Sequence, residues 1–293
     1  MRRSLVLLLL SSCVLSAAGC PPVSGLRNLA LGKTAIVTGD FDNVDQLIKE
    51  VAIQTTVEAE IHYYDGYITG PAIESEPPNG GRPLTLQVED LMRVDSTAGL
   101  QQFDTVFLSD GMRGCNQQQY NGVGEDNHLV LDQTVVGNIE KSVRNGLRMY
   151  FSDWNYDLLE ATWPDLVDWM GDDSELDAAQ RGIAPQTVNA RIVDQGLADF
   201  MGVPLQSELE VIYNFGTWAV IDSVDESVSV LVVADVEYDD PDTGEVRVKV
   251  DAPLLIAADV GRGVVLFTTF HNEAQVSDDT RDVLAYGLGK LSR

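Results

Sequence analysis

Through the first half of the chain, short unbroken apolar blocks alternate with stretches of helical period. Thr34-Ala35-Ile36-Val37-Thr38 is a β-branched run that predicts a strand. Gly39 to Asn43 make a turn, and Val44, Leu47, Ile48 and Val51 then fall on one face of a predicted helix. Val57 to Tyr63 gives a second strand, and Phe103 to Leu108 a third that runs into the polar loop Ser109 to Cys115. Val135, Val136, Ile139 and Val143 mark the next helix, with Gly146 placed as its C-terminal stop. Leu147 to Phe151 is a fourth strand, followed by Ser152-Asp153-Trp154 and a helix toward Glu160. Strands that are apolar throughout and alternate with helices predict a parallel sheet covered on both faces, a doubly wound α/β fold.

After about Gly182 the rhythm changes to strands without intervening helices: Val188 to Val193, Leu209 to Tyr213, Trp218 to Ile221, Val228 to Val233 and Val246 to Val250. Asp239 to Gly244 supplies a hairpin turn. An antiparallel β-rich insertion over about 183–252 is the expectation. Leu254 to Ala258 and Val264 to Thr269, joined by the Gly261-Arg262-Gly263 turn, return the chain to the core. A last helix is capped by Ser277 and buries Val283, Leu284, Leu288 and Leu291. The predicted folded domain spans 31–293. The Gly- and Pro-rich stretch 66–83 reads as a long surface loop.

The N-terminus follows a different logic. Arg2 and Arg3 precede the apolar run Leu5 to Leu10, and Ala17-Ala18-Gly19-Cys20 is a small-residue cleavage site. The apolar stretch, broken by Ser11, Ser12 and Ser16, is shorter than the roughly 20 residues that span a bilayer. Leu15 to Cys20 resembles the bacterial lipobox, which implies a signal peptide over 1–19, a lipidated Cys20 and a tether over 20–30 that includes Pro21-Pro22. Cys13, after Leu10-Ser11-Ser12, is an alternative lipidation point, and a plain secretory cut near Ala18 is another reading. Pro21 rather than Asp after Cys20 favours the outer membrane, facing the periplasm. Membrane attachment through the covalent lipid is the one partner this segment implies.

Charge narrows the partners further. The chain carries 19 Lys+Arg against 46 Asp+Glu, a net charge of −27, and losing Arg2 and Arg3 with the signal peptide takes it to −29. Such a field repels phosphate backbones, so nucleic acid is excluded as a partner. Beyond Cys20 only Cys115 remains in the mature chain, so no internal disulfide can form and a core must supply stability. The spacing of His62, His128, His271 and Cys115 gives no zinc site, and no metal is assigned. His62 reads as structural within its strand and His128 as solvated. With neither a P-loop nor a Gly-x-Gly-x-x-Gly motif, no cofactor is implied.

Three strand ends carry a resemblance: Phe107-Leu108-Ser109-Asp110-Gly111, Tyr150-Phe151-Ser152-Asp153-Trp154 and Phe270-His271-Asn272-Glu273. With the order of elements, they resemble the class I glutamine amidotransferase-like fold over most of 31–293. That family places a nucleophilic cysteine at a strand-to-helix elbow and pairs it with His and Glu of a late F-H-P-E motif. Here His271 and Glu273 match the late motif, with Asn272 for its proline, while the elbow has no cysteine. The family's Gly-Gly loop after the third strand is reduced to Asp110-Gly111.

Two functions follow. The favoured one is a non-catalytic, lipid-anchored module binding a small molecule, a glycan or a protein at the carboxyl edge of the sheet, with Asp110 and Asp153 as ligand-binding candidates. The alternative is an amide or ester hydrolase using Cys115 or Ser152 with His271 and Glu273. For Asp153 the default expectation is that it caps the helix running to Glu160.

Overall fold

The computed structural model describes residues 29–54, 56–67, 84–94, 97–115, 128–171, 179–214, 218–240, 243–271 and 277–292. The leader, Cys20 and the tether as far as residue 28 lie outside these, as do Glu273 and most of the 66–83 loop.

Five parallel strands form the centre. In sheet order they are β2 (Val57–Tyr64), β1 (Leu29–Val37), β3 (Thr105–Leu108), β4 (Arg148–Ser152) and β11 (Gly263–Thr268). The sheet continues antiparallel through β10 (Glu245–Val260), β9 (Val228–Asp240), β6 (Gln186–Ile192) and β7 (Glu208–Tyr213). The fold is therefore a doubly wound α/β sheet with an antiparallel extension, as the pattern of apolar blocks predicts.

Helices cover both faces because the central strands are apolar on both. On one face α1 (Val44–Gln54), α5 (Gln195–Met201) and α6 (Asp278–Lys290) pack in one apolar cluster. On the other, α2 (Val88–Met92), α3 (Gln133–Arg144) and α4 (Tyr156–Thr162) pack in a second. Helix α3 ends at the expected Gly146, with φ +116°, and α6 opens on the expected Ser277, whose hydroxyl accepts the Thr280 N–H at 3.1 Å.

Several details depart from the sequence analysis, among them the helix α5 within a stretch expected to hold strands alone. Val246–Val250 and Leu254–Ala258 are one strand, β10, whose pairing shifts register between Lys249 and Ala252 and again after Pro253; Pro is tolerated in a strand at such irregularities. The strand expected at Trp218 to Ile221 begins only at Ile221, as β8 (Ile221–Val224). It pairs with the short β5 (Val167–Trp169) in a separate two-stranded sheet. Finally, the folded chain enters its first strand at Leu29, two residues before the expected start.

Candidate functional site

Strands β1, β3, β4 and β11 all end on the same edge, the edge at which open α/β sheets bind ligands. Each delivers one polar residue there. Asp42 follows β1, Asp110 follows β3, Asp153 follows β4 and His271 follows β11. All four are buried. The β1 and β3 loops approach closely enough to need glycine. A Cβ on Gly39 would fall 2.0 Å from the Asp110 carbonyl, and Gly111 sits at φ +74° with its missing Cβ directed at Phe41.

The β4 turn is the most constrained. Asp153 has φ +41°, a left-handed conformation that is uncommon outside glycine and concentrates at functional sites. The expected helix cap is not formed. Asp153 opens a single 3₁₀ turn, α4 begins only at Tyr156, and no side chain caps either segment. The strained turn instead swings the Asp153 carboxylate across the sheet edge. There Oδ1 accepts the Ala219 N–H at 3.2 Å and Oδ2 lies 3.2 Å from His271 Nε2.

On the opposite side of the imidazole, His271 Nδ1 lies 3.5 Å from Asp110 Oδ2. Asp110 is anchored through its other oxygen, which accepts the Trp154 N–H at 3.1 Å. Asp42 braces the arrangement from behind. Its Oδ2 accepts the Asp110 N–H at 2.8 Å and the Ser152 hydroxyl.

Electrostatics at this edge follow from the missing water. Burial, reinforced by Asp42, pushes the Asp110 carboxyl well above the usual carboxylate range against the opposing Gly111 and Trp154 N–H bonds. Burial and the neighbouring Asp110 do the same to Asp153. Burial also pulls the His271 imidazole below its usual value, although the Asp42 charge works the other way. The insertion contributes a wall. Tyr213 stacks on Trp218 with ring centres 3.7 Å apart and shares a 2.7 Å hydrogen bond with Thr269, two residues before His271.

Comparison with known proteins agrees with the topology. No protein-family model matches the sequence, and no curated protein matches it. Solved structures do. A ThuA-like protein from Bacteroides uniformis aligns with TM-score 0.50 and 9% identity, over 90% of this chain and 92% of that one. A cytoplasmic protein of Salmonella typhimurium LT2 aligns with TM-score 0.48 and 12% identity, over 89% of this chain and 100% of that one. A Thermoplasma acidophilum protein described as part of a GMP synthase gives TM-score 0.46 and 12% identity, over 89% and 94%. The chain is structurally similar to amidotransferase-like and ThuA-like domains. At these identities the likeness concerns fold.

The turn after β4 is centred on Asp153. Ser152 lies one residue earlier, fully buried, with its hydroxyl turned to Asp42 and 3.3 Å from the Leu108 carbonyl. Cys115 is buried among apolar residues on the α2 and α3 face. Glu273 lies outside the described residues. Of the residues singled out from sequence, the fold therefore brings together Asp110, Asp153 and His271, with Ser152 behind them. Asp42 is a further site residue, not among those the sequence singles out. Its position immediately after the first strand, like that of Asp110 and Asp153 after theirs, was the available signal. His128, read as solvated, pairs with Glu89 through Nε2 at 3.1 Å.

Proposed function

We propose that this protein is a lipid-anchored cell-envelope module that binds its ligand at the carboxyl edge of an amidotransferase-like fold and performs no acyl transfer. The observation that carries the reading is the position of the Asp110 carboxylate. Acyl-transfer sites need backbone N–H donors free to receive a developing oxyanion. The N–H that follows the elbow residue, that of Trp154, is already taken up by the Asp110 carboxylate at 3.1 Å. A carboxyl fixed there fills the place an oxyanion would take and keeps the donor from it. The elbow residue itself is a buried carboxyl in place of a thiol.

The anchor is a diacylglycerol thioether on the Cys20 sulfur, Cys20 becomes the N-terminus when the leader 1–19 is removed, and the domain faces the periplasm from the outer membrane. Arg2, Arg3, the Leu5 to Leu10 run and the small residues before Cys20 support this. Among the described residues no helix is long and apolar enough to cross a membrane. The partner is a small molecule, a glycan or a protein; the net charge of −27 speaks against nucleic acid.

The test treats full-length protein with a fluorophosphonate, with iodoacetamide and with a glutamine-mimicking diazoketone, followed by intact-mass and peptide analysis. No adduct at Ser152, Cys115 or Asp153 is expected in the native protein. A stoichiometric adduct at any of the three that His271→Gln abolishes would show a working nucleophile and refute the proposal. Metabolic labelling with an alkynyl fatty acid checks the anchor: the label should vanish in Cys20→Ser, and persistent labelling would place the lipid elsewhere.

A further inference from the structure

The geometry points to a divalent transition-metal site formed by Asp110, Asp153 and His271 at the carboxyl ends of β3, β4 and β11. One ligand atom from each, an oxygen from each carboxylate and a ring nitrogen, lies within 4.8 Å of the other two. Ligands held about 2.0–2.2 Å from one tetrahedral ion stand roughly 3.4 Å apart, so closing onto a cation needs side-chain shifts of about 1 Å and a turn of the imidazole, whose two nitrogens now face different carboxylates. The inference extends the binding-module reading, but cation binding itself does not depend on that reading.

A second observation is independent of this clustering. Each carboxylate has one oxygen held by a backbone N–H, Trp154 for Asp110 and Ala219 for Asp153. The other oxygen, Oδ2 in both, is sealed from solvent and has no hydrogen-bond partner among the described residues. Asp110 is 1% exposed and Asp153 0%. Leaving such atoms unsatisfied is expensive, and more so for a charged group. A neutral imidazole has one N–H while its two nitrogens face two different carboxylates, so the second contact is met only by a proton kept on a carboxyl or by a bound cation. A cation satisfies the lone pairs of both carboxylates and of one ring nitrogen together.

The surroundings match what orients ligands around bound metals. Backbone N–H groups fix the inner oxygens and leave the outer ones presented. Asp42 in turn holds the Asp110 main chain and the Ser152 hydroxyl, so the supporting shell reaches across three strands. Two carboxylates with one imidazole form a borderline-to-hard donor set, suited to Zn²⁺ or Mn²⁺ rather than to copper(I). Three protein ligands also leave coordination positions open. On the binding-module reading, those positions would take an oxygen of the bound ligand.

The experiment uses full-length protein in detergent micelles, stripped with EDTA and titrated separately with Zn²⁺ and Mn²⁺ at physiological salt, which suppresses diffuse binding to the acidic surface. Elemental analysis after desalting, and the thermal midpoint with and without cation, are the readouts. One equivalent of at least one of the two cations per chain and a raised midpoint are expected. Asp153→Asn and His271→Gln should both lose the equivalent and the shift, whereas Asp239→Asn, which removes an exposed acid on the β9–β10 ribbon, should keep both. Asp153→Asn is compatible with the backbone at that position, so its loss of cation is not a loss of fold. No retained equivalent of either cation in the wild type, or a full equivalent in either site variant, would overturn the site. Covalent labelling and cation binding are separate measurements, so either proposal can fail alone.

Discussion

Replacing the buried Asp153 carboxyl by an amide should make the metal-free protein more stable. Asp153→Asn keeps an oxygen to accept the Ala219 N–H and places an N–H₂ where Oδ2 now lies, 3.2 Å from His271 Nε2. Asparagine tolerates the left-handed φ of +41° as well as aspartate does. The change converts an unsatisfied buried oxygen into a hydrogen-bonded donor, an improvement of about 1–3 kcal/mol. For a domain of this size each kcal/mol is worth about 2–4 °C, so a rise of roughly 4–8 °C is the central expectation. The pH dependence has a definite sign. Burial and Asp110 hold the Asp153 carboxyl above its unfolded value of about 3.9, so within that window the native state keeps a proton that the unfolded state has lost. Wild-type stability therefore falls as pH rises through the window. The advantage of the variant grows from pH 5 to pH 8 and fades toward pH 4. Near-UV circular dichroism melts of EDTA-treated protein at pH 5 and pH 8 measure this. A variant that melts lower at pH 8, or gains equally at both pH values, refutes the reasoning.

Other outcomes follow from single contacts. Gly111→Ala puts a Cβ 2.7 Å from the Phe41 ring at φ +74°, and should cost about 1–3 kcal/mol in chemical denaturation. Glu89 is pushed up by partial burial, but its own backbone N–H, His128 and Arg113 outweigh this and lower its pKa. The resulting stabilisation is present above the unfolded value of about 4.3 and is lost as pH falls through the folded one, so Glu89→Gln should cost a few tenths of a kcal/mol at pH 7 and nothing near pH 3. Cys115, buried in an apolar cluster, should react with iodoacetamide only when the protein is unfolded; rapid labelling of the native protein would contradict that burial.

Strands β3, β4 and β11 were legible because each carries a continuous apolar block bounded by turn residues, a pattern that survives without tertiary information, whereas the edge strand β2 alternates apolar residues with Glu58, Glu60 and His62. Short elements were not. Val167–Trp169 and Gln195–Met201 are too brief to show a period, and they exist because the completed sheet buries Trp169 and Leu197. Strand β10 read as two because Asp251 and Pro253 look like breakers, whereas Asp251 adopts φ +55° at an irregularity and the strand resumes. At the site, Asp110, Asp153 and His271 could each be singled out by position after a strand, but no spacing rule connects residues so far apart in sequence. Asp153 misled for a physical reason. A carboxyl before a helix most often caps it, and only the strained turn redirects this one into the sheet edge.

The strand order also dictates when the site can exist. Strand β11 enters the sheet between β4 and β10, and its parallel pairing with β4 joins Val264 to Arg148 and Thr268 to Ser152. Strands β1, β3 and β4 can associate as soon as they are made. The fourth wall of the site, and His271 with it, must wait until the whole antiparallel extension has been laid down. Such long-range closure is slow and leaves the flank of β4 open while it is pending. A chain emerging N-terminus first thus assembles its acidic residues before the imidazole that separates them. A product truncated before residue 263 would present Asp42, Asp110 and Asp153 together with an uncovered strand edge, which makes it a natural substrate for quality-control proteolysis.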